Sequence, residues 1–178
     1  MSIIERSTNE TRVKVDIKPG TGNAKIDTSL PFLDHMMTAL ARYASLDLDL
    51  TATGDLEHHI IEDVAITVGE AFHRILPATC ARYGDRTIPM DDALVHVSID
   101  TGGRAHYSGR LPSSLYDHWM RSFAVNAKIT LHVRVLAGSD RHHIVEASFK
   151  ALGFALRDSL VDTGAVFSTK GAVILGEG

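Results

Sequence analysis

Two histidine pairs, each followed by a carboxylate, carry the chemistry of this chain. HHIIEDVAITVGEAF begins at His58 and HHIVEASFKALGFAL begins 84 residues later at His142. Glu62 stands four residues after His58, and Glu146 four after His142. On a helix, positions four apart share a face, so each such pair can grip one cation. The neighbouring His59 and His143 point about 100° away around the helix and cannot serve that same ion. Each is free to serve another.

A third histidine belongs to each half. PFLDHMM around His35 matches SLYDHWM around His118, and the interval to the following pair is 23 residues (His35 to His58) or 24 (His118 to His142). One helix supplying a histidine and a carboxylate, the other long helix its spare histidine and a short helix one more yields two equivalent sets. They are His58, Glu62, His143 and His118, and His142, Glu146, His59 and His35. Whether the spare histidines are exchanged within a chain or between chains does not follow from spacing. Three imidazoles and a carboxylate favour zinc, nickel or copper by affinity, while open octahedral positions tolerate manganese or iron. A single HHxxE would be an ordinary solvated helix start with its charge near the positive dipole end. Its repetition, each time behind an Asp-His, carries the metal reading. His73, His96, His106 and His132 show no such recurrence and read as packing or surface residues.

The elements that must hold these residues also come twice. Thr11 to Lys18 alternates, with Val13, Val15 and Ile17 on one face, and reads as a strand ending at Pro19-Gly20. Ala24 to Ser29 reads as a second strand and Pro31 to Ala44 as a helix with proline in its first turn. Leu46 to Ala52 alternates again, and His58 to Leu76 is a long helix stopped by Pro77. The second half repeats this order with strands at Ala93–Ile99 and Ala105–Arg110, a helix at Leu115–Asn126, a strand at Ile129–Ala137 and a helix at His142–Leu160. Each half is thus ββαβα, and strands on one side with helices on the other make an α+β two-layer sandwich, built twice. Residues 1–90 and 91–178 are the two repeats, together one compact catalytic domain. Two copies of about eighty residues are a duplication, not a solenoid.

Composition narrows the partners. The 178 residues are 44% hydrophobic, enough for one sizeable core. A net charge of −4 with scattered signs offers no basic stripe for nucleic acid. The single cysteine, Cys80, excludes an internal disulfide and fits a reducing compartment. No apolar run approaches the ~20 residues of a membrane span and no signal-like segment opens the chain, so the expectation is a cytoplasmic protein.

The two HHxxE helices, FLDHM, ITLHVRVLAG and the late STKG resemble the imidazoleglycerol-phosphate dehydratase family over about Glu10 to Lys170. The resemblance implies a dehydration in histidine biosynthesis, a fold shared with the GHMP kinases, and active sites between subunits holding two Mn²⁺ ions. It also implies trimers that metal drives into a shell of 24 subunits. It assigns one manganese to His35, His59, His142 and Glu146 and the other to His58, Glu62, His118 and His143, the sets obtained above. It implies Glu10 as the acid/base, Arg82 and Arg104 as phosphate ligands, and Ser168 and Lys170 as further substrate contacts. The C–H to be broken is not next to a carbonyl, so it is poorly acidic. An imidazolate held between two cations would expel the side-chain hydroxyl through a diazafulvene-like intermediate once that bond breaks.

The chain departs from the family pattern at three places. GDLEHH is about three residues shorter than the family loop and lacks its Asp-Asp, leaving Asp55 or Glu57 to orient the first histidine pair. Ala39 and Tyr43 replace a glutamine and a histidine that help hold substrate, and the loop from Arg104 to His118 is short. Two other readings stay open on the residues alone. A dinuclear metallohydrolase would hydrolyse phosphate or amide substrates and fail to dehydrate imidazoleglycerol phosphate. A purely architectural metal would leave every property unchanged in Glu10→Gln.

Overall fold

In this computed structural model, which describes residues 1–166, the two halves fold into sheets of identical strand order. The first contains β1 (Ser2–Ser7), β2 (Thr11–Pro19), β3 (Ala24–Asp27), α1 (Pro31–Ala44), β4 (Leu46–Gly54) and α2 (Glu57–Ile75). The second contains β5 (Tyr83–Met90), β6 (Ala93–Asp100), β7 (His106–Ser108), α3 (Ser114–Asn126), β8 (Thr130–Ala137) and α4 (Arg141–Ser159). The sheets run β1-β2-β4-β3 and β5-β6-β8-β7, antiparallel except for the parallel β3–β4 and β7–β8 pairs. The duplicated ββαβα order expected from the sequence is present, with one more strand ahead of each copy.

Those two leading strands lie at sheet edges and carry little core signal. In β1 the apolar core residue is Ile4, while Ile3 faces outward. β5, YGDRTIPM, contains Pro89, tolerable because an edge strand need not donate on its free side. β5 pairs with β6, so residues 83–90 belong to the second sheet although they precede the 90/91 boundary read from the sequence. The central strands follow their alternation: Val13, Val15 and Ile17 in β2 and Val95, Val97 and Ile99 in β6 are all buried. The short β3 and β7 end earlier than the sequence pattern suggested, at Asp27 and Ser108.

The helices form the middle of the molecule. α1 and α2 cover the first sheet and α4 the second, while α1 packs on α4 and α2 on α3. Sheet, helices, helices and sheet therefore stack in that order, related by a pseudo-twofold. Trp119 and Phe123 of α3, Phe72 of α2 and Phe149 of α4 are fully buried there. Trp119 lies 4.6 Å from Phe149 and 5.2 Å from Phe123 between ring centroids. Among the described residues no helix is long and apolar enough to cross a membrane.

Candidate metal centre

Helix entry decides where the histidines point. Every one of them lies in the first turns of its helix. In α4, Asp140 caps the helix by accepting from the His142 and His143 N–H groups at 2.7 and 3.3 Å, which fixes the pair at the first turn. α2 has Leu56 at the capping position and no side-chain cap. The Asp of each Asp-His motif does not reach the candidate site; it anchors the helix start. Asp34 accepts from the Thr28 N–H and hydroxyl at 2.9 and 2.5 Å, and Asp117 from the Tyr107 hydroxyl and Leu111 N–H at 2.6 and 2.9 Å.

Within one protomer three of the four members of one set converge, and in the other His118 meets Glu62 beside His58. His35 and His142 each bring Nε2 to 3.1 Å from the same oxygen of Glu146, and the three ligand atoms lie within 4.8 Å of one another. Across the pseudo-twofold, His118 Nε2 stands 3.2 Å from Glu62, and both line one pocket with His58, Leu115 and Ser114. The donor set of the first group suits a divalent cation: two imidazole nitrogens and a carboxylate oxygen converge on one point. Glu146 is buried. Burial pushes its carboxyl up, and the hydrogen bonds from Lys150 (2.9 Å) and His35 more than offset that, holding it below its ordinary value.

The spare histidines are held by other carboxylates, the His59 ring packing 4.1 Å from that of His58. His59 Nδ1 lies 2.7 Å from Asp55 and 3.7 Å from Glu10. His143 Nδ1 lies 2.8 Å from Asp92, with Asp91 3.3 Å from its Nε2. The hydrogen bond His59 donates to Asp55 raises the His59 pKa and that from His143 to Asp92 raises the His143 pKa, in each case against a smaller desolvation effect. Asp55 therefore supplies the orientation that the shortened loop left to it or to Glu57. Asp92 is a residue the sequence did not flag. Its other oxygen accepts from the Ser139 N–H and hydroxyl and from the Asp140 N–H at 2.7, 3.1 and 3.1 Å, tying the β5–β6 turn to the head of α4.

The expected phosphate ligands lie elsewhere. Arg82, just before β5, grips Asp100 through Nε and Nη2 at 2.7 and 3.0 Å. Its N–H donates to the Ser159 carbonyl at the far end of α4. His142 and Ser159 are 17 residues apart on one helix, roughly 25 Å at 1.5 Å per residue. Arg104, exposed, is in the loop before β7 at the same end, its carbonyl accepting from Thr130 at 2.8 Å. Within one protomer these arginines and the histidine groups occupy opposite ends of the second sheet. Ser168 and Lys170 lie outside the described residues. Of the two replaced family residues, Ala39 is buried in α1, and Tyr43 meets Phe154 at 5.1 Å and the Lys150 ammonium at 5.8 Å. Lys150 stands four residues past Glu146, whereas the matching position four past Glu62 in α2 is the apolar Ile66. The two glutamates therefore differ in their surroundings although their spacing to the histidines is the same.

Comparison with known proteins points to one family. The family model described as imidazoleglycerol-phosphate dehydratase matches residues 28–156. The imidazoleglycerol-phosphate dehydratase of Kineococcus radiotolerans is 45% identical, covering 96% of this chain and 97% of its own length. That of Solidesulfovibrio magneticus is 45% identical, covering 94% and 95%. Among solved structures, the enzyme of Pyrococcus furiosus in complex with (S)-C348 superposes with a TM-score of 0.87 at 40% identity, over 96% of this chain and all of that one.

Proposed function

The chain belongs to the imidazoleglycerol-phosphate dehydratase family, and from that premise we propose that it converts D-erythro-imidazoleglycerol phosphate to imidazoleacetol phosphate and water at a dinuclear centre shared between subunits. One observation supports this most: helix heads from both halves bring His35, His142 and Glu146 together and His118 onto Glu62 beside His58, while His59 and His143 are held by other carboxylates.

Two divalent cations fit these donors. His35, His142 and Glu146 would hold one and His58, Glu62 and His118 the other, completed by His59 and His143 of neighbouring copies. Bound there, Mn²⁺ ions would supply Lewis acidity to the substrate ring and orient its side chain. The protein's own groups do the rest. Glu10, exposed beside His59, carries protons: it takes one from the carbon being deprotonated and returns one as the hydroxyl leaves as water. Arg82 and Arg104 bind the phosphate, Arg82 with its guanidinium plane fixed by Asp100, and Ser168 and Lys170 add contacts. Because the arginines stand about a helix length from the histidines, a complete site draws them from another copy. That need favours an obligate homo-oligomer, and the family resemblance suggests 24 subunits built from trimers.

The direct test incubates the protein with Mn²⁺ and imidazoleglycerol phosphate and follows imidazoleacetol phosphate. Glu10→Gln is expected to abolish turnover with metal content and particle mass intact. Full activity in that variant removes Glu10 from the chemistry.

A further inference from the structure

We infer that Asp63 is a positioning residue for Glu10, a buried carboxylate that ties the helix bearing Glu62 to the turn bearing the proton carrier. The inference rests on the reading of Glu10 given above.

Asp63 follows Glu62 in α2 but points to the other side of the helix, toward β1 and β2, where it is buried. One of its oxygens accepts from Arg6 Nε at 2.9 Å and the other from the hydroxyl of Thr11, itself buried. With the Thr11 proton committed to Asp63, the Thr8 hydroxyl 3.2 Å away donates to Thr11 Oγ1. Thr8 Oγ1 in turn accepts from the Glu10 and Thr11 N–H groups at 3.1 and 2.9 Å. The Glu10 carbonyl accepts from the Asp55 N–H at 3.1 Å. The Glu10 backbone is thus held on both sides, while its carboxylate stays exposed. A relay of hydroxyls connects that backbone to a charge fixed on the metal-facing helix. Any shift of α2 is passed to Glu10, and the two keep their spacing.

The second half serves as an internal control. The residue after Glu146 is Ala147, so α4 packs on its sheet without a carboxylate at this place. The corresponding strand connection there is the turn at Asp91-Asp92, with no threonine relay. The fold therefore does not require this acid. It occurs in the half whose turn presents Glu10.

The test compares Thr11→Val, Thr11→Ser and Thr8→Ala with Glu10→Gln and wild type, all full-length and loaded with Mn²⁺. Metal content, particle mass, Tm, kcat and KM are measured. A carboxylate displaced by about 1 Å loses on the order of 100-fold in rate, so Thr11→Val is expected to lower kcat per loaded site by about 10- to 100-fold with KM and metal content unchanged. Thr11→Ser, which keeps the hydroxyl, restores kcat to within a few-fold. Thr8→Ala cuts the same relay at its exposed end, where folding is not at stake, and also lowers kcat. Thr11→Val or Thr8→Ala with wild-type kcat, whatever its Tm, overturns the inference. If Glu10→Gln is itself active, the parent reading fails instead.

Discussion

Replacing Asp92 by asparagine is expected to weaken one metal site and spare the other. The two oxygens of Asp92 have different duties: one meets His143 Nδ1 at 2.8 Å, and the other collects three donors from Ser139 and Asp140. Asparagine keeps a single acceptor oxygen. Three donors outweigh one, so that oxygen turns to Ser139 and Asp140 and the amide NH₂ faces His143. The imidazole must then accept at Nδ1 and carry its proton on Nε2, the nitrogen meant for the cation. Loss of such an orienting partner lowers metal affinity by about 10- to 100-fold, or roughly 1.4 to 2.7 kcal/mol. Stepwise Mn²⁺ titration of the metal-free protein, with free ion followed by electron paramagnetic resonance, separates the two equivalents. One should weaken in Asp92→Asn, the one that uses His58, Glu62, His118 and His143, and the other should hold. The mirror result is expected from Asp55→Asn, which releases His59. Two equivalents bound by Asp92→Asn as tightly as by wild type would refute the reasoning.

Other consequences can be measured more simply. Chelation should shrink the particle to a small oligomer by light scattering, because His59 and His143 then lose the ions that join copies; an unchanged mass contradicts metal-driven assembly. Gly54→Ala places a Cβ 2.8 Å from Ile60, 2.9 Å from Thr11 and 3.0 Å from the Glu10 carbonyl, so it should cost about 1–3 kcal/mol in denaturant unfolding and depress turnover as well. Phe149→Ala opens the aromatic cluster between the helix layers and should cost about 3–5 kcal/mol. The Asp100 carboxyl is pushed up by burial but drawn further down by Arg82 and the Gly102 N–H, so its folded pKa lies below 3.8. It therefore adds stability above that pH, lost as pH falls through the folded value. Asp100→Asn should be less stable than wild type at neutral pH, with the gap closing at acid pH; a gap independent of pH speaks against this pair.

What the sequence revealed depended on repetition and period. Two helices with apolar residues at 3.6-residue intervals and two strands with strict alternation were legible because a core face must recur at the element's own period. β1 and β5 were not, since an edge strand with one or two buried positions writes no period. The six histidines and two glutamates were visible through their spacing within helices. Asp92 was not, because its partner His143 is 51 residues away and a two-residue turn carries no pattern. Asp63 sat in plain view in HHIIED, but helix spacing describes only the face it shares with His59, and its partners Arg6 and Thr11 come from strands over fifty residues upstream. Long-range polar pairs are set by topology, which the local pattern does not encode.

The duplication also bears on why the proposed chemistry uses one proton carrier in a symmetric framework rather than two. Thr11 opposes Gly54 at the open end of the first sheet, and Ala93 lies against Gly138 at the same place in the second. Glu10 and Asp92, each preceding its strand, are therefore counterparts, and each stands near the spare histidine of its half. Their chemistry differs because their partners do. Asp92 is one methylene shorter and commits both oxygens to the head of α4, and those hydrogen bonds hold its pKa far below the ordinary value and leave it a fixed acceptor. Glu10 keeps its side chain 58% exposed and 3.7 Å from His59, with its backbone rather than its carboxylate committed to the turn. A carboxylate that must move protons has to stay free of strong donors, while one that orients a ligand has to be saturated with them. On the proposed function the twin positions have separated along that line, one to hold a histidine and the other to work on substrate.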